Sequence, residues 1–199
     1  MRLIEIFDSI QGEGPAMGKP ATFVRLAGCN LKCQGCDTDM KTAWQSSTDE
    51  VLKGVRCDRV IITGGEPTLQ MAELSKLIAA FHELGKEIHI ESNGTNPIPD
   101  ETLKMISYAV ISPKRGSDFH LDFWAGKTNV HLKFVLGKAP WCWTSDLLKP
   151  MVKRLDKERV WLMAFGTDRD LQGAVEAWDL AMQLCVNYSD RLHIRMMRR

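Results

Sequence analysis

A chain of 199 residues with 26 Lys and Arg against 25 Asp and Glu carries a formal charge of +1, which leaves no basic surplus for a general nucleic-acid-binding surface. A single domain of this length buries about 70% of the surface its unfolded chain exposes, so the fold does not need its cysteines as staples. No apolar run approaches the roughly 20 residues of a membrane span, and Glu5 and Asp8 sit in an amino terminus that therefore does not read as a signal peptide. The expectation is one cytoplasmic domain, residues 1–199, that acts on a small molecule, with neither nucleic acid nor membrane as partner.

Leu3, Ile4, Ile6, Phe7 and Ile10 interleave with polar residues, which predicts a strand over 2–10 that ends at Gln11-Gly12-Glu13-Gly14-Pro15. This Gly-rich turn reads first as a hairpin connection and is no phosphate loop, because Glu13 repels phosphate and no Gly-Lys-Ser/Thr follows; its glycines could also bring backbone and Gln11 against a flat heterocycle. A second strand, 21–27, runs into Cys29, Cys33 and Cys36, a C-x3-C-x2-C spacing. Three crowded cysteines among six in a chain without a secretory signal point to metal binding, not disulfides. Zinc needs a fourth ligand, such as Cys57 or a histidine, whereas an iron–sulfur cubane on three cysteines keeps one iron open to a small molecule. Cys57, Cys142 and Cys185 stand alone and read as small apolar residues.

Further on, 48–55 is predicted as a short helix capped by Ser47 or Thr48, with Asp49 and Glu50 in its first turn. The β-branched run 59–63 predicts a strand that ends in Gly64-Gly65, and 69–84 has helical spacing until Gly85 stops it. The same rhythm gives a strand at 87–92 with a helix at 99–106, a strand at 108–112, a strand at 130–136 with a helix at 145–155, and a strand at 160–165 with a helix at 171–186. A last strand is expected from 191 to about 197, and 116–127 is the longest irregular stretch. Alternating strands and helices imply a parallel sheet. About six strands and few helices are too few for a closed eight-fold barrel, so the predicted fold class is α/β, a partial, open barrel of about six mostly parallel strands. Ligands of such sheets sit beyond the carboxyl ends of the strands, where the cysteine loop, Gly64-Gly65-Glu66, Ser92-Asn93 and Ser112-Pro113-Lys114 all fall.

The cysteine loop after a strand, followed by Thr63-Gly64-Gly65-Glu66-Pro67 after a second, resembles the radical S-adenosylmethionine (SAM) superfamily. More narrowly, Ser9-Ile10-Gln11-Gly12-Glu13-Gly14, Cys36-Asp37-Thr38, Glu91-Ser92-Asn93-Gly94, Ser112-Pro113-Lys114 and Leu192-His193 resemble the 7-carboxy-7-deazaguanine synthase family, over nearly the whole chain. The resemblance implies a 4Fe–4S cluster on Cys29, Cys33 and Cys36, with SAM contacted by Gly35, Cys36, Asp37, Gly65, Glu66, Ser92, Ser112, Pro113 and Lys114. It implies Mg2+ at Thr38 and a carboxylated tetrahydropterin bound by Ile10, Gln11, Gly12, Glu13, Arg25, Thr63, His193 and the chain end at Arg199. Many members carry an aromatic residue just before the third cysteine, against the adenine; here it is Gly35, so the adenine must gain its stacking elsewhere. The implied reaction turns 6-carboxy-5,6,7,8-tetrahydropterin into 7-carboxy-7-deazaguanine with loss of ammonia, through a 5′-deoxyadenosyl radical. An electron-donor protein such as a flavodoxin and a homodimer are implied as well. Two alternatives remain open at this point: another radical SAM enzyme, such as a glycyl-radical-enzyme activase, or a non-enzymatic metal-binding interaction module.

Overall fold

The computed structural model describes residues 1–39, 42–166 and 171–198. In chain order these form β1 (Arg2–Ile10), β2 (Pro20–Leu26), β3 (Trp44–Gln45), α1 (Thr48–Gly54), β4 (Arg59–Gly64), α2 (Met71–Glu83), β5 (Glu87–Ser92), α3 (Asp100–Leu103), β6 (Tyr108–Ile111), α4 (Leu121–Ala125), β7 (Val130–Leu136), α5 (Ser145–Val152), β8 (Val160–Ala164), α6 (Leu171–Leu184), β9 (Asn187–Tyr188) and α7 (Leu192–Arg195).

The described strands make one sheet in the order β3-β1-β2-β4-β5-β6-β7-β8-β9. β1 and β2 pair antiparallel, as a hairpin joined by the Gly-rich turn must. From β2 onward every pairing is parallel: Arg25 stands beside Thr63, Val60 beside Ile88, and Phe134 beside Leu162. The six parallel strands expected from the sequence are β2, β4, β5, β6, β7 and β8, and the edges β3 and β9 are two residues each. The open barrel is thus as predicted.

Side chains alternate across this sheet, as a strand's period of two requires. Val60 and Ile62 of β4, Ile88 and Ile90 of β5, and Leu132 and Phe134 of β7 join Leu74, Leu77, Ile78 and Phe81 of α2 in the main core. α1 starts on a capping box, Ser47 accepting from the Glu50 amide while the Glu50 carboxylate accepts from the Ser47 amide. The inward face is different. At its amino-terminal end it is closed by a ladder in which His89 stacks on Tyr108 at 3.9 Å, Tyr108 meets His131 edge-on at 5.3 Å, and Trp161 donates to His131 Nδ1 at 3.1 Å. Polar and charged inward residues begin above this plug.

Two expectations fail. The segment from Arg191 is no strand: its backbone turns through α7, and the short strand β9 lies before it. Pairing could not hold it extended, because the Leu192 amide donates to Gly12 O at 2.9 Å and Arg191 is drawn into ion pairs with Glu13 and Asp37. The stretch 116–127, expected to be irregular, contains α4. Its Trp124 is fully buried and donates to Gly94 O at 2.9 Å, which gives that turn a packed face.

His89 generates a pH prediction. It is 1% exposed; Nε2 pairs with Glu87 Oε1 at 2.8 Å, and Nδ1 has no partner among the described residues. Burial lowers its pKa to about 4, against the opposing pull of Glu87. A histidine lowered from its ordinary value of about 6.5 contributes stability that is present above 6.5 and is lost as pH falls toward 4, on the order of 3 kcal/mol. Urea unfolding from pH 7 to 4 should show this loss in the parent, and His89→Gln should flatten it.

Candidate active site

The parallel pairing of β2 and β4 sets the site. Gly64 lies opposite Leu26, its φ of +143° and the Leu26 backbone against it leaving no room for a side chain. The Gly65 amide donates to Leu26 O at 3.1 Å and the Glu66 amide to Gly28 O at 2.8 Å, so the Gly-Gly-Glu turn is stitched to the start of the cysteine loop. Glu66 is 0% exposed. Its Oε1 accepts from Ser92 Oγ at 2.8 Å and from Thr68 Oγ1 at 2.6 Å, and its Oε2 from the Asn93 amide at 2.6 Å. Asn93 in turn donates to Asn30 Oδ1 at 3.0 Å, between the first two cysteines.

These loops surround one cavity of about 810 Å³ at the carboxyl ends of the strands. The predicted residues Ile10, Gln11, Gly12, Glu13, Arg25, Cys29, Cys33, Gly35, Cys36, Asp37, Thr38, Thr63, Gly65, Ser92, Ser112, Lys114 and His193 all line it. Glu66 and Pro113 do not. Glu66 stands behind the wall, and Pro113 O accepts from the buried Trp143 indole at 2.8 Å. Arg199 lies outside the described residues.

The three thiols occupy one side. Cys29 and Cys36 are exposed and Cys33 half-buried, while Cys142 is buried on β7's far loop. Burial raises Cys29 and Cys33, with the neighbouring thiols adding to it and Lys114 pulling Cys33 back. Thiols raised in this way stay protonated until a bound cationic centre compensates the charge of their thiolates. Among the described residues no three such side chains are drawn together closely enough to hold a single metal ion, but the donor set, three thiols lining one cavity at C-x3-C-x2-C spacing, is of the type that suits a cluster taking one thiolate per iron. Beside them, Lys114 Nζ donates to Ser112 Oγ at 2.7 Å, and burial and Lys133 lower its pKa.

Gly35 has φ +77°, and a Cβ there would come within 2.7 Å of the Phe165 ring. That ring meets Trp141 edge-on at 4.9 Å, and the Trp141 indole donates to Gln34 O at 2.9 Å. Two aromatic side chains from the loops after β7 and β8 therefore pack beside Gly35, which carries none itself.

The other side of the cavity is a charged floor. Gln11 Nε2 donates to Glu91 Oε1 and Thr63 Oγ1 to Glu91 Oε2, both at 3.0 Å. Lys133, 5% exposed, pairs with Glu13 Oε2. Burial alone would push Glu13 up, but Lys133 and Arg191 hold its carboxyl well below the usual carboxylate range, and the same pairing keeps Lys133 raised against its own burial. Arg25 donates from Nε to Glu5 at 2.8 Å and from Nη1 to Thr38 Oγ1 at 3.2 Å. His193, on α7 and not on a strand, packs its ring against Gly12, where any side chain would collide with it.

Glu91, Lys133, Trp141, Phe165 and Arg191 also line the cavity and escaped sequence reasoning. Lys133 carried a signal: a lysine inside the apolar run His-Leu-Lys-Phe-Val-Leu is out of place on a strand buried on both faces, unless something pairs with it.

An open parallel barrel with a three-thiol loop after one strand and a Gly-Gly-Glu turn after the next defines a radical SAM protein, and the Radical SAM superfamily model matches residues 24–129. Relatives extend this to the whole chain. A 7-carboxy-7-deazaguanine synthase of Hyperthermus butylicus is 32% identical over 220 residues, covering 98% of this chain and 92% of the relative. One of Bacteroides thetaiotaomicron is 43% identical over 118 residues, 58% of this chain and 62% of the relative. The crystal structure of QueE from Escherichia coli superposes with a TM-score of 0.74 at 21% identity, covering 96% of this chain and 94% of that one. The chain belongs to the 7-carboxy-7-deazaguanine synthase family of radical SAM enzymes.

Proposed function

We propose that this chain, as one radical SAM domain over residues 1–199, converts 6-carboxy-5,6,7,8-tetrahydropterin to 7-carboxy-7-deazaguanine with loss of ammonia, in 7-deazapurine biosynthesis. The observation that carries this reading is that the three thiols and the Gln11, Thr63 and Glu13 groups line one and the same cavity. Cys29, Cys33 and Cys36 would hold a 4Fe–4S cluster, which with SAM supplies a radical able to take hydrogen from an unactivated carbon. Everything else falls to the protein's own side chains.

Gly65, Ser92, Ser112 and Lys114 would receive the methionine and ribose of SAM, and Glu66 and Pro113 would act from behind by fixing those turns. Gly35, Cys36 and Asp37 would present backbone to the nucleoside, with the Phe165 and Trp141 rings offering the stacking surface that Gly35 lacks. On the floor, Ile10, Gln11, Gly12 and Thr63 would address the pterin edge by hydrogen bonds, with Glu13 as an acceptor held ionised by Lys133 and Arg191. His193 would close the pocket and Arg199 reach it from the chain end. Arg25 keeps Nη2 for the substrate carboxylate, and its hold on Thr38 would place that hydroxyl where Mg2+ can share it with substrate oxygens.

The exposure of Cys29 and Cys36 favours electron delivery by a docked donor such as a flavodoxin. A homodimer is favoured by the exposed stripe Leu171, Val175, Trp178 and Met182 on α6. Among the described residues no helix is long and apolar enough to cross a membrane, and we place the enzyme in the cytoplasm.

In anaerobically reconstituted protein, Ala at Cys29, Cys33 or Cys36 should abolish reductive SAM cleavage, whereas Ala at Cys57, Cys142 or Cys185 should leave it. An equal requirement for one of the latter three would replace the open-iron site with a four-ligand one. Arg25→Lys keeps the charge but loses the fork that reaches Glu5, Thr38 and the substrate carboxylate at once. It should raise KM for the pterin about tenfold or more, equivalent to about 1.5 kcal/mol, and shift the Mg2+ requirement upward. An unchanged KM removes Arg25 from the substrate site.

A further inference from the structure

The strap 189–192 leads into α7 and is tied to the Gly-rich turn, and Arg191, which lines the cavity, is the point where its loops meet. Each nitrogen of the guanidinium is committed to a different element: Nε donates to Glu13 Oε1 at 3.3 Å, Nη1 to Gly166 O at 2.9 Å, and Nη2 to Asp37 Oδ2 at 2.7 Å. Glu13 belongs to the turn after β1 and is fixed on its other oxygen by Lys133 of β7, Gly166 follows β8, and Asp37 follows the third cysteine of the cluster loop. The Gly-rich turn and the cluster loop, both of which line the cavity, are thus joined through one planar group, 16% exposed. A lysine could satisfy one of these acceptors but not all three at fixed angles.

We propose that Arg191 is a positioning residue that makes nucleoside binding at the cysteine loop and pterin binding at the 11–13 loop cooperative. The proposal rests on the assignment of those two loops made above. Glu13, held by Lys133, anchors the Arg191 fork, and a pterin that binds Gln11 and Glu13 in this clasped geometry favours it over states in which the fork has let go. The fork in turn fixes Asp37 and the Gly35–Cys36 backbone beside it, so the ordering of one loop is completed before the second ligand arrives. The strap does not depend on this side chain for its own attachment, since the Leu192 amide still donates to Gly12 O and the Gly14 amide to Ser189 Oγ at 2.9 Å. Arg191→Gln is therefore expected to fold with its strap in place.

The test uses cluster-loaded protein and titration calorimetry with S-adenosylhomocysteine, with and without saturating 7-carboxy-7-deazaguanine. In the parent, the pterin-derived ligand should tighten nucleoside binding about fivefold or more, the usual size of such couplings. In Arg191→Gln that factor should fall to near one while each ligand alone keeps an affinity close to the parent's. A merely structural role would weaken both ligands and leave the factor unchanged, and that result overturns the proposal, as does a parent without coupling. Hydrogen exchange on ligand-free, cluster-loaded protein gives a readout that does not depend on the substrate assignment. Arg191→Gln should speed exchange over residues 35–37, whose Cys36 amide is bonded to Cys33 O at 3.2 Å. Unchanged exchange there sinks the clasp. A parent that binds no deazaguanine but shows this acceleration sinks the substrate reading instead.

Discussion

The arrangement depends first on a carboxylate that has no water. Glu66 is fully buried, and a buried carboxylate is tolerable only when its lone pairs are taken. The donors that take them are Thr68 on its own turn and Ser92 and Asn93 at the end of the next strand, with Asn93 reaching on to Asn30 in the cysteine loop. Satisfying one charge therefore locks three loops together at the carboxyl ends of β2, β4 and β5. Replacing Glu66 with an apolar residue would strand several of these donors, which is why the turn's composition and the cluster's placement are one constraint.

The opposite side of the cavity obeys the same rule with more charges. Glu13, Lys133 and Arg191 compensate one another across three segments far apart in sequence, and Gln11 and Thr63 between them occupy one lone pair on each oxygen of Glu91. Neutral as a set, this floor holds a polar pocket open inside an otherwise apolar barrel, where packing would otherwise close it. At the amino-terminal end of the strands His89, Tyr108, His131 and Trp161 stack in a ladder, and none of the four lines the cavity.

Most of the fold was legible because it is local: β-branched runs that end in glycine, and helices with caps such as Ser47 and stops such as Gly85, reveal themselves within a dozen residues. The cluster ligands and turn motifs were legible because their chemistry demands residue types at fixed short spacing. What escaped was set by contacts across the chain. Residues 191–197 carry an apolar pattern compatible with a strand, and only the bonds from Leu192 to Gly12 and from Arg191 to Glu13 and Asp37 decide for a helix at the mouth. Gly35 read as a missing aromatic group, and nothing near it in sequence announces that Phe165, 130 positions later, fills the space. Lys133 and Glu91 lie in strands whose pattern says core, and their role exists only once the barrel closes around them.

The central claim is that one cavity unites a three-thiolate cluster with a pterin-reading floor. Its most direct measurement is anaerobic reconstitution with iron and sulfide, followed by incubation with SAM, a reductant, Mg2+ and 6-carboxy-5,6,7,8-tetrahydropterin, with the products separated by liquid chromatography and mass spectrometry. The account predicts 7-carboxy-7-deazaguanine together with released ammonia, in many turnovers per cluster. SAM cleavage that proceeds to 5′-deoxyadenosine while the pterin is recovered unchanged would contradict it.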